Sequence, residues 1–320
     1  MTDATRSPHD REANASKSST ASVTKPPYRK RRIPTWFWFT LPVCIVFFVF
    51  ALAPVIEVAV LSLLNWNMVS PTAEFVGLKY YKDLVTDPSF WILLWQTCEY
   101  IALALLGNFV APVIVAGVTL SLGKRLSKIY QVLYFVPTVV ATSIAALLWM
   151  WLYLPIGGAL NEILGIIGVG PKDWLTDSHL VLPAVATVSI WKFFGFNYLI
   201  AIAGIVSVPS SYVEAALVDG AGWWAKWRHI MLPTMAPTLL FLGITTAVQA
   251  LNNAFVPIQI MTQGGPSGRS NNILYSVYEQ SFQFFKLGNA GAQAVVLMIL
   301  LGGLAIWQFR MMDRRARADA

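Results

Sequence analysis

Five polar side chains interrupt two long apolar stretches of the sequence, where they could bind a ligand. They are Lys192 and Asn197 in the stretch 183–205, and Gln249, Asn252 and Asn253 in the stretch 237–262. Amide side chains both donate and accept hydrogen bonds, which suits the hydroxyl groups of a sugar or polyol. The same amides could instead join neighbouring helices. Ligand contact is therefore one of two explanations for this group.

Further polar side chains lie in or near the apolar stretches, where such groups are costly and often functional. They are Glu57, Gln96, Glu99 and Asn108. Glu57 and Gln96 lie toward the outer ends and are expected to reach water. Lys192 could pair with Glu99 at a similar depth, extend to the interface, or meet a phosphate. Glu57, Glu99 and Lys192 could also relay ions, as in a transporter driven by an ion gradient.

The composition predicts an all-α polytopic membrane protein. Of the 320 residues, 56% are hydrophobic and 12% are charged, and the mean hydropathy is +0.59. A helix needs about 20 apolar residues to cross the hydrocarbon core. Six segments meet this length, which predicts six transmembrane helices. The segments are 36–64, 90–122, 129–153, 183–205, 237–262 and 287–309.

The distribution of basic residues predicts the orientation of these helices. If both termini lie on one side, that side carries 17 of the 23 Lys and Arg residues. Positive charge collects in cytoplasmic segments, so both termini are expected in the cytoplasm of a bacterial cell with the chain in its inner membrane. Topology thus explains the net charge of +7, and no nucleic acid is expected as a partner.

This topology divides the chain into three regions and assigns the connecting loops. Residues 1–34 are predicted to be a disordered basic tail, because they contain too few apolar groups to form a core. Residues 35–310 are the expected membrane domain, and 311–320 a short basic cytoplasmic tail. The connection 206–236 lies on the cytoplasmic side. The predicted outer loops are 65–89, 154–182 and 263–286.

The connection 206–236 predicts two short helices separated by a bend. Good helix-forming residues run from Glu214 to Asp219, and Ser210 or Ser211 could cap that helix. Gly220 and Gly222 then bend the chain, and a second piece carries three tryptophans and two basic residues. On physical grounds alone, this segment could lie in lipid headgroups or dock against a protein.

Seven positions in this segment resemble a known signature. They are Glu214, Ala215, Ala216, Gly220, Ile230, Leu232 and Pro233. Their spacing is similar to the cytoplasmic loop of permeases from binding-protein-dependent ABC importers, and Asp219-Gly220-Ala221 is similar to the carbohydrate-uptake branch. The segments Phe75-Val76-Gly77-Leu78 and Gly264-Gly265-Pro266 resemble maltose- and glycerol-3-phosphate-type permeases. The resemblance covers residues 35–315.

The resemblance implies a type I ABC importer permease fold and a set of residues that couple transport to an ATPase. These coupling residues are Glu214, Ala215, Ala216, Asp219, Gly220, Ala221, Ile230, Leu232 and Pro233. The implied solutes are sugars or sugar-like compounds, including glycerol 3-phosphate and its diesters. The implied partners are a second homologous permease, a dimer of ATP-binding cassette ATPases, an extracytoplasmic solute-binding lipoprotein and membrane lipid.

The chain itself is not expected to be an enzyme or to bind a cofactor. It contains no G-x-x-x-x-G-K-[S/T] phosphate loop, so ATP and magnesium are expected on the partner ATPase. Its three His and two Cys residues are scattered in the sequence. They therefore indicate no metal site, which needs three or four ligands close together.

Overall fold

The computed structural model describes residues 35–67, 70 and 72–318, and the predicted tail 1–34 lies outside them. The chain divides into two compact units between Ala53 and Pro54. In its described part, the first unit contains helix α1, Thr35–Phe47, followed by a π-helical turn, Phe48–Leu52. Helix α2, Ala53–Leu61, begins at the boundary. The stretch Phe39–Leu61 is long and apolar enough to cross a membrane.

The next part of the chain forms a small hairpin and the second candidate span. Strands β1, Leu64–Asn65, and β2, Glu74–Phe75, pair antiparallel, with Leu64 opposite Phe75. Helix α3, Lys79–Thr86, leads to α4, Pro88–Leu105, whose first turn is capped by the carboxylate of Asp87. A π-helical turn, Leu106–Val110, and α5, Ala111–Ser121, complete a continuous span, Pro88–Ser121.

The third predicted span is bent in the structure. Helix α6, Lys124–Val139, and helix α7, Thr142–Leu152, meet at an angle of 98°. Val140 and Ala141 between them have extended backbone conformations, with ψ of 134° and 139°. Pro137 has no amide hydrogen and so cannot donate a helical bond, which weakens the last turn of α6 before this break. The segment 129–153 is therefore either a broken span or a re-entrant loop.

The remaining helices supply three more candidate spans. Helix α8, Ala159–Ile166, precedes α9, Val181–Val206; α10, Ser210–Val218, and α11, Trp223–Lys226, follow. After a π-helical turn, Trp227–Met231, come α12, Leu232–Thr234, and α13, Ala236–Pro257, which continues as a π-helical turn to Thr262. Helix α14, Ile273–Tyr278, and a π-helical turn, Glu279–Gln283, precede α15, Leu287–Ala318. The predicted positions of spans four to six are thus confirmed.

Helix α9 lies at the centre of the second unit. It packs against α4, α5, α6, α7 and α13, and half of its most apolar window is buried inside the protein. Its N-terminal half contributes Val181, Leu182 and Val185 to one apolar cluster, and its C-terminal half contributes Tyr198 and Ala201 to a second. A helix that is apolar all round is expected at such a position. Counting the bent pair as one span gives the six that the sequence predicts.

The last helix extends past its membrane-crossing stretch. The candidate span covers Leu287–Gln308, while α15 continues to Ala318. The predicted C-terminal tail, 311–320, is therefore helical as far as the structure describes it. Helix α15 packs against α3, α13 and α14, which holds it against the same bundle.

Candidate functional site

A cavity of about 120 Å³ lies in the middle of the bundle, between α4, α9 and α13 and the π-helical turn that follows α4. Aromatic side chains of Phe193, Phe196 and Phe241 form part of its wall. The polar lining comes from seven residues: Asn108, Ser189, Asn197, Thr245, Thr246, Gln249 and Asn253. Ligand sites commonly combine apolar walls with a few placed polar groups in this way. We call it the central cavity.

Hydrogen bonds across three helices fix one wall of the central cavity. The Tyr100 hydroxyl donates to Ser189 Oγ at 3.0 Å, and Ser189 Oγ donates to the carbonyl oxygen of Asn253 at 2.9 Å. Tyr100 and Ser189 are buried. The first bond joins α4 to α9 and the second joins α9 to α13, so together they hold these three helices in position around the cavity.

Two buried polar atoms of the cavity lining have no partner among the described residues. They are Asn108 Oδ1 and Thr246 Oγ1, on side chains that are 4% and 6% exposed. Leaving a buried polar group unsatisfied costs about 1–3 kcal/mol. None of the lining residues is charged. The cavity therefore suits a neutral group that can hydrogen-bond to an amide and a hydroxyl, such as a hydroxyl group of a ligand.

The structure brings together three of the five polar residues that the sequence singled out in spans four and five. Asn197, Gln249 and Asn253 line the central cavity, whereas Asn252 is exposed and does not. At 100° per residue, Asn252 points well away from Asn253 on a helix, so the two neighbours cannot both face the same cavity.

Lys192 also lies outside the lining, and it does not pair with Glu99, which was one of the three possibilities for this side chain. Lys192 Nζ donates to the carbonyl oxygen of Thr138 at 3.0 Å, and the Thr138 hydroxyl donates to the carbonyl oxygen of Lys192 at 2.9 Å. The amine also lies 4.7 Å from the ring centre of Phe193. Thr138 is near the bend between α6 and α7, where the helix leaves carbonyl groups available. Lys192 therefore ties α9 to that bend.

Glu99 has a different partner, which the sequence did not indicate. Arg269 Nη2 donates to both carboxylate oxygens of Glu99, at 2.9 and 3.1 Å, and Arg269 Nε donates to the carbonyl oxygen of Ser178 at 3.1 Å. Arg269 comes from the predicted outer loop 263–286, so this loop folds back against α4. The partners are 170 residues apart in the sequence, and no local pattern could have paired them.

Helix α10 ends at the bend predicted from Gly220, but neither Ser210 nor Ser211 caps its first turn as predicted. Pro209 is the N-cap residue, and no side chain caps the helix. Ser210 already lies inside the helix, because Pro209, with ψ of 131°, supplies the extended residue before it. At the other end Gly220 has φ of +75°. The amides of Gly220 and Ala221 donate to the carbonyls of Leu217 and Ala216 at 3.1 and 2.9 Å, which is a Schellman C-cap.

The segment after this bend is anchored into the bundle by Trp227. Its ring is 8% exposed and belongs to an apolar cluster with Val113, Ala116 and Met235. It lies directly over Gly117 of α5, where a Cβ atom would be 2.2 Å from Trp227 Cζ2. Only glycine leaves room for the ring at this position. The segment Ser210–Met231 is therefore packed against the end of the second span.

The opposite face of this segment is exposed. Glu214, Ala215 and Asp219 are exposed on or directly after α10, and the stacked rings of Trp223 and Trp224 are 51% and 67% exposed. We call these five residues the exposed coupling face. Ala216 is buried, and Ile230 packs against the apolar cluster around Trp227. The nine predicted coupling residues thus differ in exposure: Ala216 is buried, Ala221 and Ile230 are half-buried, and the rest are exposed, namely Glu214, Ala215, Asp219, Gly220, Leu232 and Pro233.

Residues 104–318 match the model of one protein family, described as the inner membrane component of binding-protein-dependent transport systems. The matched range covers the central cavity, the segment Ser210–Met231 and the last four helices. The chain belongs to this family. The family that the resemblance implied is thereby confirmed.

Curated relatives of this permease family extend the match to nearly the whole chain. The chain is 30% identical to the sn-glycerol-3-phosphate transport system permease protein UgpA of Pectobacterium atrosepticum, over 91% of this chain and 98% of that one. It is 32% identical to the protein of the same name from Yersinia pestis, over 88% and 95% of the two chains.

Solved structures agree with the fold of a permease in this family. A bacterial ABC transporter that imports the acidic polysaccharide alginate matches with a TM-score of 0.75 at 23% identity, over 87% of this chain and 95% of that one. The same transporter with a periplasmic protein bound to alginate pentasaccharide matches with a TM-score of 0.76, also at 23% identity, over 87% and 94%. The similarity extends to the fold of a type I ABC importer permease.

The family match leaves the ion-relay alternative without support. Of the three residues proposed for such a relay, Lys192 bonds to a backbone carbonyl and Glu99 to Arg269. Glu57 is exposed on α2. The three are therefore not joined in one path.

Among the described residues, no three His, Cys, Asp or Glu side chains are grouped closely enough to hold a metal ion.

Four residues of the central cavity were not among the contacts favoured from the sequence. They are Asn108, Ser189, Thr245 and Thr246. Asn108 carried a signal, because it is an amide within an apolar stretch. The three hydroxyl residues carried none, because Ser and Thr are common in membrane helices and bond to their own backbone.

Proposed function

We propose that this chain is the membrane-spanning permease subunit of an ATP-driven importer for sugars or sugar-like solutes. The observation that carries the proposal is that the segment Ser210–Met231 is exposed on one face and packed against the bundle on the other. Its exposed coupling face is free to meet another protein, while Trp227 on its other face is locked over Gly117 of α5. A push on this segment is therefore transmitted to the second span and, through the same apolar cluster, to α9 and α13.

In this proposal the motor is a separate pair of ATP-binding cassette subunits, which hold ATP and magnesium. When these subunits close, they move the coupling residues, and the packed helices shift between two discrete arrangements. One arrangement opens the central cavity to the cytoplasm and the other to the outside. ATP drives the cycle only through the difference in its binding to the two arrangements.

The other partners follow from the incomplete enclosure of the central cavity. Phe241 and Gln249 line it and are also exposed, which supports a second, homologous permease that closes the pathway. A solute-binding protein delivers the solute to the predicted outer loops 65–89, 154–182 and 263–286. In this proposal the coupling side and both termini lie in the cytoplasm, which the excess of basic residues in those segments supports.

The chemistry of the central cavity favours the hydroxyl-bearing part of a solute. Unsatisfied Asn108 Oδ1 and Thr246 Oγ1 would bond to hydroxyl groups, and Phe193 could pack against the carbon face of a sugar. The relatives named above transport sn-glycerol 3-phosphate, and that compound or its diesters are specific candidates here. No charged residue lines this cavity, so it offers no cation to a phosphate group.

Reconstitution tests this function directly. The chain is purified with the proteins that accompany it, inserted into liposomes, and assayed for uptake of labelled solutes with trapped ATP or with an imposed proton or sodium gradient. We expect uptake that needs ATP and a binding protein and that a gradient alone cannot drive. Uptake driven by the gradient without ATP, or purification without any ATPase, would contradict the proposal.

A further inference from the structure

A second, larger polar cavity lies at the opposite end of the bundle from the coupling segment. Its volume is about 360 Å³, within the size range of small-molecule sites. The first turns of α4 and α15 and the segment 267–280 form its wall. In the predicted topology this end faces the outside. We call it the outer cavity, and the central cavity shares none of its lining residues.

Three amide side chains in the outer cavity have hydrogen-bonding capacity that the described residues do not use. Gln96 is 6% exposed and makes no side-chain hydrogen bond to any of them. Gln293 is 5% exposed; its Nε2 donates to Asn289 Oδ1 at 2.9 Å, while its Oε1 has no partner. Asn271 Oδ1 is likewise buried without a partner. Because leaving a buried amide oxygen unsatisfied costs about 1–3 kcal/mol, Gln293 Oε1 and Asn271 Oδ1 favour a polar occupant. The Gln96 amide lines the same cavity and can bond to that occupant.

Gln96 had been expected to reach water at the end of its span. The structure buries it instead, because the segment 267–280 folds over the first turns of α4. Ile273 N donates to Thr97 Oγ1 at 3.0 Å, which fixes this segment one residue from Gln96. The burial is therefore built by the fold, and Gln96 faces a cavity, not bulk solvent.

The charge of the lining limits the chemistry of the occupant. Asp87 and Glu279 contribute carboxylates, and no Lys, Arg or His is among the described residues that line the cavity. The Glu279 carboxylate accepts a hydrogen bond from Asn271 Nδ2 at 3.1 Å, and the Asp87 carboxylate accepts one from Ser89 N at 2.9 Å. Neither bond neutralises the negative charge. A phosphate or carboxylate would be repelled, whereas a hydroxyl group can donate to these oxygens.

We infer that the outer cavity is a second binding site for a neutral, hydroxyl-bearing solute such as a polyol or sugar. Gln96, Gln293 and Asn271 supply hydrogen bonds, and buried Phe90 supplies an apolar surface for its carbon atoms. The role of this site is to receive the solute on the outer side before it reaches the central cavity, and this role rests on the proposed function. Because Asp87 and Glu279 disfavour an anionic solute, the outer cavity favours the neutral sugars and polyols among the proposed solutes over sn-glycerol 3-phosphate.

Gln96→Leu is the variant that tests this site most directly. The two side chains are similar in size, and the substitution removes no hydrogen bond between described residues, so folding should be unaffected. Gln131→Leu is the control for the same change of side chain, because Gln131 lies on α6 outside both cavities. It also removes the hydrogen bond that Gln131 Nε2 donates to Ser127 Oγ at 3.2 Å, so it is the more demanding of the two changes for folding. Thr246→Val removes a hydroxyl from the central cavity only and shows which cavity a probe occupies.

The experiment measures binding of glycerol and of sn-glycerol 3-phosphate, a pair that differs by one phosphate. Saturation-transfer NMR is recorded on the assembled importer in lipid nanodiscs without nucleotide. We expect saturation transfer to glycerol that exceeds transfer to sn-glycerol 3-phosphate. Gln96→Leu should raise the glycerol dissociation constant about two- to tenfold, which corresponds to one lost hydrogen bond. Gln131→Leu should leave it unchanged, and part of the signal should survive Thr246→Val.

Three results would overturn the inference. One is a glycerol dissociation constant unaffected by both Gln96→Leu and Gln293→Leu. Another is tighter binding of sn-glycerol 3-phosphate than of glycerol at a site sensitive to these variants. The third is the absence of saturation transfer, which means that the cavity holds only water. The readout needs neither ATP nor uptake, so these failures differ from failure of the proposed function, in which the unaltered assembly shows no ATP-dependent uptake.

Discussion

The contact between Trp227 and Gly117 gives the sharpest prediction about coupling, and Gly117→Ala is the change that tests it. A Cβ atom at this position would lie 2.2 Å from Trp227 Cζ2 and 2.6 Å from Cη2. Non-bonded carbon atoms approach to about 3.5 Å, so the ring must move by more than about 1 Å. Trp227 is enclosed by a cluster that includes Val113 and Met235, and forcing an extra atom into such packing costs about 1–3 kcal/mol.

This cost should appear as loss of coupling. Suppose that the whole cost falls on the arrangement in which Trp227 of the segment Ser210–Met231 packs over α5. The population of that arrangement, relative to one in which this contact is broken, then falls by about 5- to 150-fold. We expect the assembled importer with Gly117→Ala to hydrolyse ATP but to transport at least fivefold less solute per ATP. Alanine favours a helix over glycine by about 1 kcal/mol, so the variant should still insert and fold.

The assay compares solute uptake and ATP hydrolysis in the same proteoliposomes. Gly243→Ala is the matched control, because its Cβ would lie 3.7 Å from the Phe109 ring, an ordinary contact. In a double-mutant cycle, Trp227→Leu should restore part of the coupling to Gly117→Ala, because the smaller side chain removes the clash. If Gly117→Ala transports as much solute per ATP hydrolysed as the unaltered protein, the contact between Trp227 and Gly117 does not transmit the coupling motion.

Three further predictions concern the bend, the outer loop and the central cavity. Gly220→Val should reduce transport, because φ of +75° disfavours a branched side chain by about 1–2 kcal/mol; Gly220→Asn should retain more activity, and Gly222→Ala, at φ of −64°, should be neutral in the same uptake assay. Arg269→Ala leaves Glu99 without its ion pair and frees the loop 263–286, so limited proteolysis should cut that loop faster; an unchanged cleavage rate would show that the pair does not hold it. Thr246→Val should leave thermal stability unchanged or higher and raise the KM for the transported solute about two- to tenfold, whereas an unchanged KM would remove the central cavity from the pathway.

Much of the architecture could be predicted from the sequence, because a membrane imposes simple rules on a chain. The length of the apolar stretches predicted the five continuous candidate spans and the location of the bent pair α6 and α7. Length is informative because a helix that crosses lipid must satisfy its own backbone hydrogen bonds. Gly220 predicted the bend after α10, because its left-handed conformation is a local property of the residue. The spacing from Glu214 to Pro233 indicated the family by resemblance, and the match over residues 104–318 confirmed it.

Apart from the serine cap of α10, the expectations that the structure contradicts depend on neighbours in space. Lys192 and Glu99 were at similar estimated depths, yet one bonds to Thr138 and the other to Arg269. Depth along a helix does not fix the direction of a side chain. Gln96 was expected in water for the same reason, and only the fold of the segment 267–280 buries it.

The sequence by itself determined that the chain crosses a membrane, where most crossings lie, and which segment carries the family signature. All of these follow from the local run of residue types. The tertiary structure alone decided that Trp227 fits over Gly117, that Asn108 and Thr246 face a common cavity, and that Gln96 and Gln293 share another. These pairs come from different helices, and their contacts depend on how the helices rotate and pack, which no local stretch of sequence specifies.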